Sequence, residues 1–157
     1  SLNPIYIICL APIFAWLWSS IGNETLSNIG KFGIGLLFMG FGWAIMIFAA
    51  LEAQNGILVS PLWLATMYFL HAIGEMFVSP VGLSAISKLA PKTMTGLTMG
   101  IWFLASSIGS YIGGRVAGLY DTFSVADIFG TLTLVAITSS IGLALLNRKL
   151  ERSRIEL

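Results

Sequence analysis

The stretch YFLHAIGEMFVSPVGLSAISKLAP, Tyr68 to Pro91, decides how the chain is read. Its first half has the apolarity of a helix in lipid, yet it carries Glu75, with Met76, Phe77 and Val78 directly after. A carboxylate at the bilayer centre costs about 2.5–3.5 kcal/mol on insertion scales, so it is seldom there without a partner or a task.

The rest of the chain has the same character. Of 157 residues, 57% are hydrophobic and 10% charged, and the mean hydropathy is +0.90. Soluble domains carry about 25% charge, so the composition predicts a membrane protein. A net charge of +1 argues against a nucleic-acid partner. Cys9 is the single cysteine, which excludes an internal disulfide and a cysteine-built metal site. Within its apolar run it reads as a small buried hydrophobe.

A helix needs about 20 mostly apolar residues to cross the hydrocarbon core. Residues 32–51, 60–87, 95–119 and 128–147 meet that length, and residues 3–21 nearly do. The expected fold class is therefore an all-α membrane protein with five transmembrane helices, followed by a basic tail at 148–157.

The charges sort by side. Lys31, Lys88, Lys92, Arg148, Lys149, Arg152 and Arg154 all fall at one side of an alternating five-span path. Glu52, Asp121 and Asp127 fall at the other, and Arg115 lies near the outer end of the fourth span. The positive-inside rule then places the C-terminus in the cytoplasm. The start, SLNP, has no basic region and no initiator Met, and the span count is odd. Both features suggest that helices precede Ser1.

Glycines stud two spans: Gly33, Gly35, Gly40 and Gly42, then Gly96, Gly100, Gly109, Gly113, Gly114 and Gly118. Small residues at four-residue spacing let helices approach closely in lipid, where hydrophobicity does not drive association. Trp16, Trp18 and Trp63 read as interfacial-belt residues, and Trp43, deeper, as packing.

At helical pitch His71, Glu75 and Ser79 share one face, and Pro80 and Gly82 follow where the helix can bend. A catalytic set fails on distance. Ser79 and His71 lie about 12 Å apart along a straight helix, beyond the reach a nucleophile and base need. A metal site fails for want of a third ligand beside His71 and Glu75. Two readings of Glu75 stay open: a structural carboxylate, protonated or paired to a neighbouring helix, and a functional one facing a water-filled cavity. The second is the default for an ionisable group at this depth. Asn3, next to Pro4, and Trp102, in the fourth span, are candidates to share that cavity with Glu75.

Three stretches together are more specific. GEMFVSPVGLSAISKLAP (Gly74–Pro91), GIWFLASSIGSYIGG (Gly100–Gly114) and LNPIYIICLAPIFAWLW (Leu2–Trp18) closely resemble the second half of the proton-dependent oligopeptide transporters. That is the peptide transporter family of the major facilitator superfamily. KFGIGL, Lys31–Leu36, is similar to the start of its helix nine. The matching segments correspond to helices eight to twelve and cover nearly the whole chain.

The resemblance implies a part of the C-terminal six-helix bundle of a twelve-helix symporter. Such a protein imports di- and tripeptides across the plasma or inner membrane, driven by protons, with no cofactor and no enzyme activity. It implies that Glu75 binds the peptide amino terminus and that Asn3 contacts the peptide backbone, with Ser79 and Trp102 in or beside the pocket. It further implies a thin cytoplasmic gate at Leu83, with Pro80 and Gly82 as the bend. The family's Glu-x-x-Glu-Arg motif, its basic residues for the peptide carboxylate, its first bundle and its helix seven have no counterpart in this chain. The partner required is thus the N-terminal half of the same transporter, and this chain alone is not expected to transport. The alternatives are a transporter of another small solute on the same fold, or a membrane scaffold that does not transport.

Overall fold

The computed structural model describes residues 2–21, 27–89, 91 and 93–155. Lys92 and the side chains of Lys88, Arg152 and Arg154, part of the expected basic set, lie outside the described residues. Five α-helices follow one another: α1 (Asn3–Ile21), α2 (Asn28–Gln54), α3 (Leu62–Leu89), α4 (Thr95–Ala117) and α5 (Val125–Ile155). A short 3-10 turn, Gly118–Asp121, leads from α4 toward α5.

All the helices but α1 are longer than hydrocarbon thickness alone requires. α2, with 27 residues, extends about 40 Å at 1.5 Å per residue, against a core of about 30 Å. Its start is set by a cap rather than by apolarity: Ser27 Oγ accepts the Gly30 N–H at 3.0 Å, satisfying a backbone donor of the first turn. α5 starts in the same way. Ser124 Oγ accepts the Asp127 N–H at 3.1 Å and donates to Asp127 Oδ2 at 2.6 Å, a reciprocal cap of the capping-box kind. The basic segment expected as a tail from 148 instead continues α5 to Ile155. It contains neither Gly nor Pro, so nothing in it stops the helix.

Among the described residues, four helices are long and apolar enough to cross a membrane: Asn3–Ser20, Asn28–Gln54, Leu62–Ala85 and Val125–Leu150. The expected fourth span forms as α4, but its glycines, serines and threonines dilute its apolarity, and it is not among these four.

α2 is the central element, packed along α3 on one side and α5 on the other. Glycines make the α2–α3 approach possible. A Cβ on Gly74 would sit 2.6 Å from the Gly35 carbonyl oxygen and 2.9 Å from Met39 Cγ, so backbone lies against backbone. The α2–α5 seam is closed by Ser140 Oγ, which donates to the Gly33 carbonyl at 2.7 Å, and by Ser27 Oγ, which donates to Asn147 Oδ1. α1 packs on α3. α4 touches α3 sparsely and buries no residue in this chain. Its glycines from Gly96 to Gly114, and Gly118 just beyond, have nothing within 4 Å of an added Cβ, so the close packing expected of them is not made among the described residues.

Three smaller expectations also change. Cys9 is exposed on α1 rather than buried. Lys31 belongs to the first turn of α2 and is only 4% exposed. Its Nζ stands 4.4 Å from the centre of the Trp18 ring, a cation–π geometry. Trp18 is thereby a packing residue rather than one of an interfacial belt, and it also meets Phe77 edge-on at 5.4 Å.

Candidate functional site

Glu75 lies at the middle of α3, thirteen residues or about 20 Å along the helix from Leu62. Its direction follows from its neighbour. Gly74 is pressed against the α2 backbone, and one residue on, about 100° around the helix, Glu75 is turned toward α1. There Asn3 Nδ2 donates to Glu75 Oε2 at 3.2 Å. Both residues are half-buried. Asn3 sits in the first turn of α1, where Pro4 is tolerated because its missing N–H would have had no helical partner. Asn3 Oδ1 is buried and has no hydrogen-bond donor among the described residues.

The arrangement therefore offers a carboxylate and an unsatisfied amide oxygen side by side. Both accept hydrogen bonds and neither donates. A buried acceptor without a donor carries a desolvation penalty of about 1–3 kcal/mol, which a cationic donor entering from outside would relieve. An ammonium group, with three donors and no acceptor, has the complementary inventory.

His71, one turn before Glu75, serves another contact. Its Nε2 is 3.2 Å from the Met39 carbonyl, and its ring packs in the space left by Gly42, where a Cβ would lie 2.7 Å from that nitrogen. Trp43 meets the His71 ring edge-on at 4.8 Å and stacks on Phe129 at 5.6 Å. His71 is thus a packing element between α3 and α2, while Glu75 addresses α1. The shared face inferred from pitch splits between two neighbouring helices.

The other named residues form a second group further along α3. Ser79 is half-buried, and the helix is continuous through Pro80 to Leu89. Gly82 is buried, and the Trp102 ring occupies the space over it; a Cβ there would lie 2.7 Å from Trp102 Cζ3. Trp102 also meets Phe32 edge-on at 6.5 Å. Leu83 is 37% exposed. The structure brings Asn3 to Glu75 and Trp102 to Gly82, two contacts seven residues apart on α3, about 10 Å. Two cavities of about 330 and 370 Å³ lie elsewhere, by Ser60–Thr66 and between α2 and α5.

Sequence reasoning did not foresee the direct Asn3–Glu75 bond, the seating of Trp102 on Gly82, or the Lys31–Trp18 pair. The signal for the second was Gly82 itself, read only as a bend.

Comparison with known proteins gives the class. The profile of the POT family, PTR2, matches residues 1–135. The chain is 41% identical over 153 residues to the uncharacterized transporter YclF of Bacillus subtilis, covering 98% of this chain and 31% of that protein. It is 42% identical over 122 residues to the peptide transporter YePEPT of Yersinia enterocolitica, covering 75% of this chain and 24% of that protein. Among solved structures, a glutamate-to-glutamine variant of peptide transporter POT superposes with a TM-score of 0.84 at 36% identity, covering 97% of this chain and 30% of that one. A POT family transporter in complex with a thioalcohol-conjugated peptide superposes with a TM-score of 0.85 at 29% identity, covering 95% and 30%.

The fold and these matches define a multi-pass helical membrane protein of a transporter class, not an enzyme class. The chain belongs to the POT family. It spans about a third or less of the length of the relatives it matches.

Proposed function

We propose that this chain is part of a proton-coupled symporter that imports di- and tripeptides by alternating access, with Glu75 binding the peptide amino terminus. The observation that carries the reading is the Asn3–Glu75 pair, with the buried Asn3 Oδ1 acceptor lacking a donor among the described residues. A peptide entering a membrane cavity loses hydration, and its ammonium end needs a counter-charge and acceptors. Supporting it are the family match and the solved relatives described with a bound peptide or with the analogue alafosfalin.

In this reading Asn3 also faces the peptide backbone, to which an amide offers both donor and acceptor. Ser79 and Trp102 lie further along the same path. Leu83, beyond Pro80 and Gly82, closes the cavity toward the cytoplasm. α4, which buries nothing in this chain, presents its glycines to helices of the remaining transporter, the N-terminal half included. The protein resides in the plasma or inner membrane with the end of α5 in the cytoplasm, as the clustering of basic residues supports. Protons are the coupling ion, and no cofactor takes part.

The test is uptake of a labelled dipeptide by proteoliposomes that hold the complete transporter. Uptake is expected to require an inward proton gradient and to collapse with a protonophore. Uptake of nitrate or another solute in place of peptide, or uptake indifferent to the gradient, would overturn the proposal.

A further inference from the structure

The cavity between α2 and α5 has about 370 Å³, the volume of roughly a dozen waters. It lies apart from Glu75. Gly30, Gly33, Ile34 and Leu37 line it from α2, and Ser140, Ala144, Asn147 and Arg148 from α5. The spacings are those of one face on each helix. Its floor is fixed by the buried Ser140–Gly33 bond and its end by the Ser27–Asn147 bond. The walls are apolar along most of their length and end at an exposed guanidinium, Arg148, which has no carboxylate partner among the described residues. Arg148 stands two residues before the end of the apolar span Val125–Leu150, the level at which lipid phosphates lie. Leu37 lies about 10 Å deeper than Gly30.

The groove also faces away from the substrate side. Phe32 is the α2 residue that meets Trp102 of α4. At 100° per residue it lies roughly 150° around α2 from the middle of the groove face. Neither α3 nor α4 is seated on that face of α2.

We infer that this groove is a binding site for one anionic phospholipid. Its phosphate pairs with Arg148 beside Asn147, and one acyl chain lies along Gly30, Gly33, Ile34 and Leu37. The guanidinium suits a phosphate through paired N–H donors, and the glycines leave a channel that side chains would fill. The occupied leaflet is the one in which α5 ends. A lipid here would brace α5 against α2, the helix on which α3, and with it Glu75, is seated.

The experiment is native mass spectrometry of the complete transporter, titrated with phosphatidylglycerol and, separately, with phosphatidylcholine. The wild type is expected to retain one phosphatidylglycerol at least about fivefold more tightly than phosphatidylcholine, the factor equivalent to the ~1 kcal/mol typical of one basic residue at an anionic membrane surface. Arg148→Gln is expected to erase that preference. Ala144→Phe, which fills the groove, is expected to weaken both lipids. Both positions are exposed, so wild-type melting temperatures are expected and folding is checked directly. Equal binding of the two lipids by wild type, or a preference that survives Arg148→Gln, overturns the inference. So does a dimer that Ala144→Phe abolishes while no lipid is retained, which would make the groove a self-association surface.

Discussion

Replacing Glu75 by Gln in the complete transporter removes the charge and keeps the shape. The amide still carries an acceptor oxygen for Asn3 Nδ2, which stands 3.2 Å from Glu75 Oε2, so the α1–α3 contact can persist. What disappears is the counter-charge for an ammonium group. A hydrogen bond to a charged group contributes about 1.5–3 kcal/mol, so affinity for a free dipeptide is expected to fall roughly 10- to 150-fold. A dipeptide acetylated at its amino terminus has no ammonium to lose, so it is expected to bind wild type poorly and to be nearly insensitive to the substitution. Binding is measured by titration calorimetry for both peptides and both proteins. Asn3→Ala is the control: it removes a neutral amide, worth about 0.5–1.5 kcal/mol, and is expected to weaken both peptides by no more than about tenfold. If the two peptides lose affinity equally on Glu75→Gln, Glu75 is not the partner of the ammonium. The structural reading, a carboxylate that ties α3 to α1 through Asn3, would then replace it.

Gly74→Ala places a methyl 2.6 Å from the Gly35 carbonyl oxygen and is expected to destabilise by about 1–3 kcal/mol, as overpacking does. Gly142→Ala, with nothing within 4 Å, is the neutral control, and equal melting temperatures for the two would count against the close α2–α3 contact. Ser140→Ala deletes the buried bond to the Gly33 carbonyl; a loss of about 0.6 kcal/mol, at most about 1.7, is expected from comparable bonds between membrane helices, read from thermal unfolding in detergent. Leu83→Ala is expected to leave peptide binding nearly unchanged while raising the cytoplasmic accessibility of a cysteine probe in the cavity. Unaltered labelling in every condition would refute a gate at Leu83.

The helices were legible because apolar runs of the necessary length are hard to mistake, whereas their ends were not. Ser27 and Ser124 extend α2 and α5 beyond the apolar boundary by capping, and a hydropathy argument does not weigh caps. The glycines of α2 were legible as packing, since Gly35 and Gly42 do receive α3. Those of α4 follow the same spacing yet meet nothing among the described residues, because spacing records that a close neighbour is permitted, not which one. Glu75 stood out through the energy of burying a carboxylate. Its bond to Asn3 did not, since the two are 72 residues apart and nothing local links them. Lys31 misled for a similar reason: a lysine at a span end reads as a charge in water, and its burial depends on Trp18 arriving from α1.

The contacts along α3 divide at Pro80. Before it, His71, Gly74 and Val78 all meet α2, each at a distance that leaves no room for a Cβ on the facing glycine. That segment carries Glu75 and is seated on the same α2 that is bonded to α5 through Ser140 and Ser27. After Pro80, Gly82 takes its neighbour from α4, through the Trp102 ring. A bend at Pro80 would therefore leave the carboxylate in place while carrying Gly82 and Leu83, and it would either draw Trp102 along or lift it from its seat. The residue proposed to recognise the peptide thus sits on the braced part of the helix. The residue proposed to close the cavity sits beyond Pro80, on the part where the Trp102 ring of the loosely attached α4 is seated on Gly82. Substrate geometry and gate movement can then change independently, which is what a site that must hold its ligand while access alternates requires.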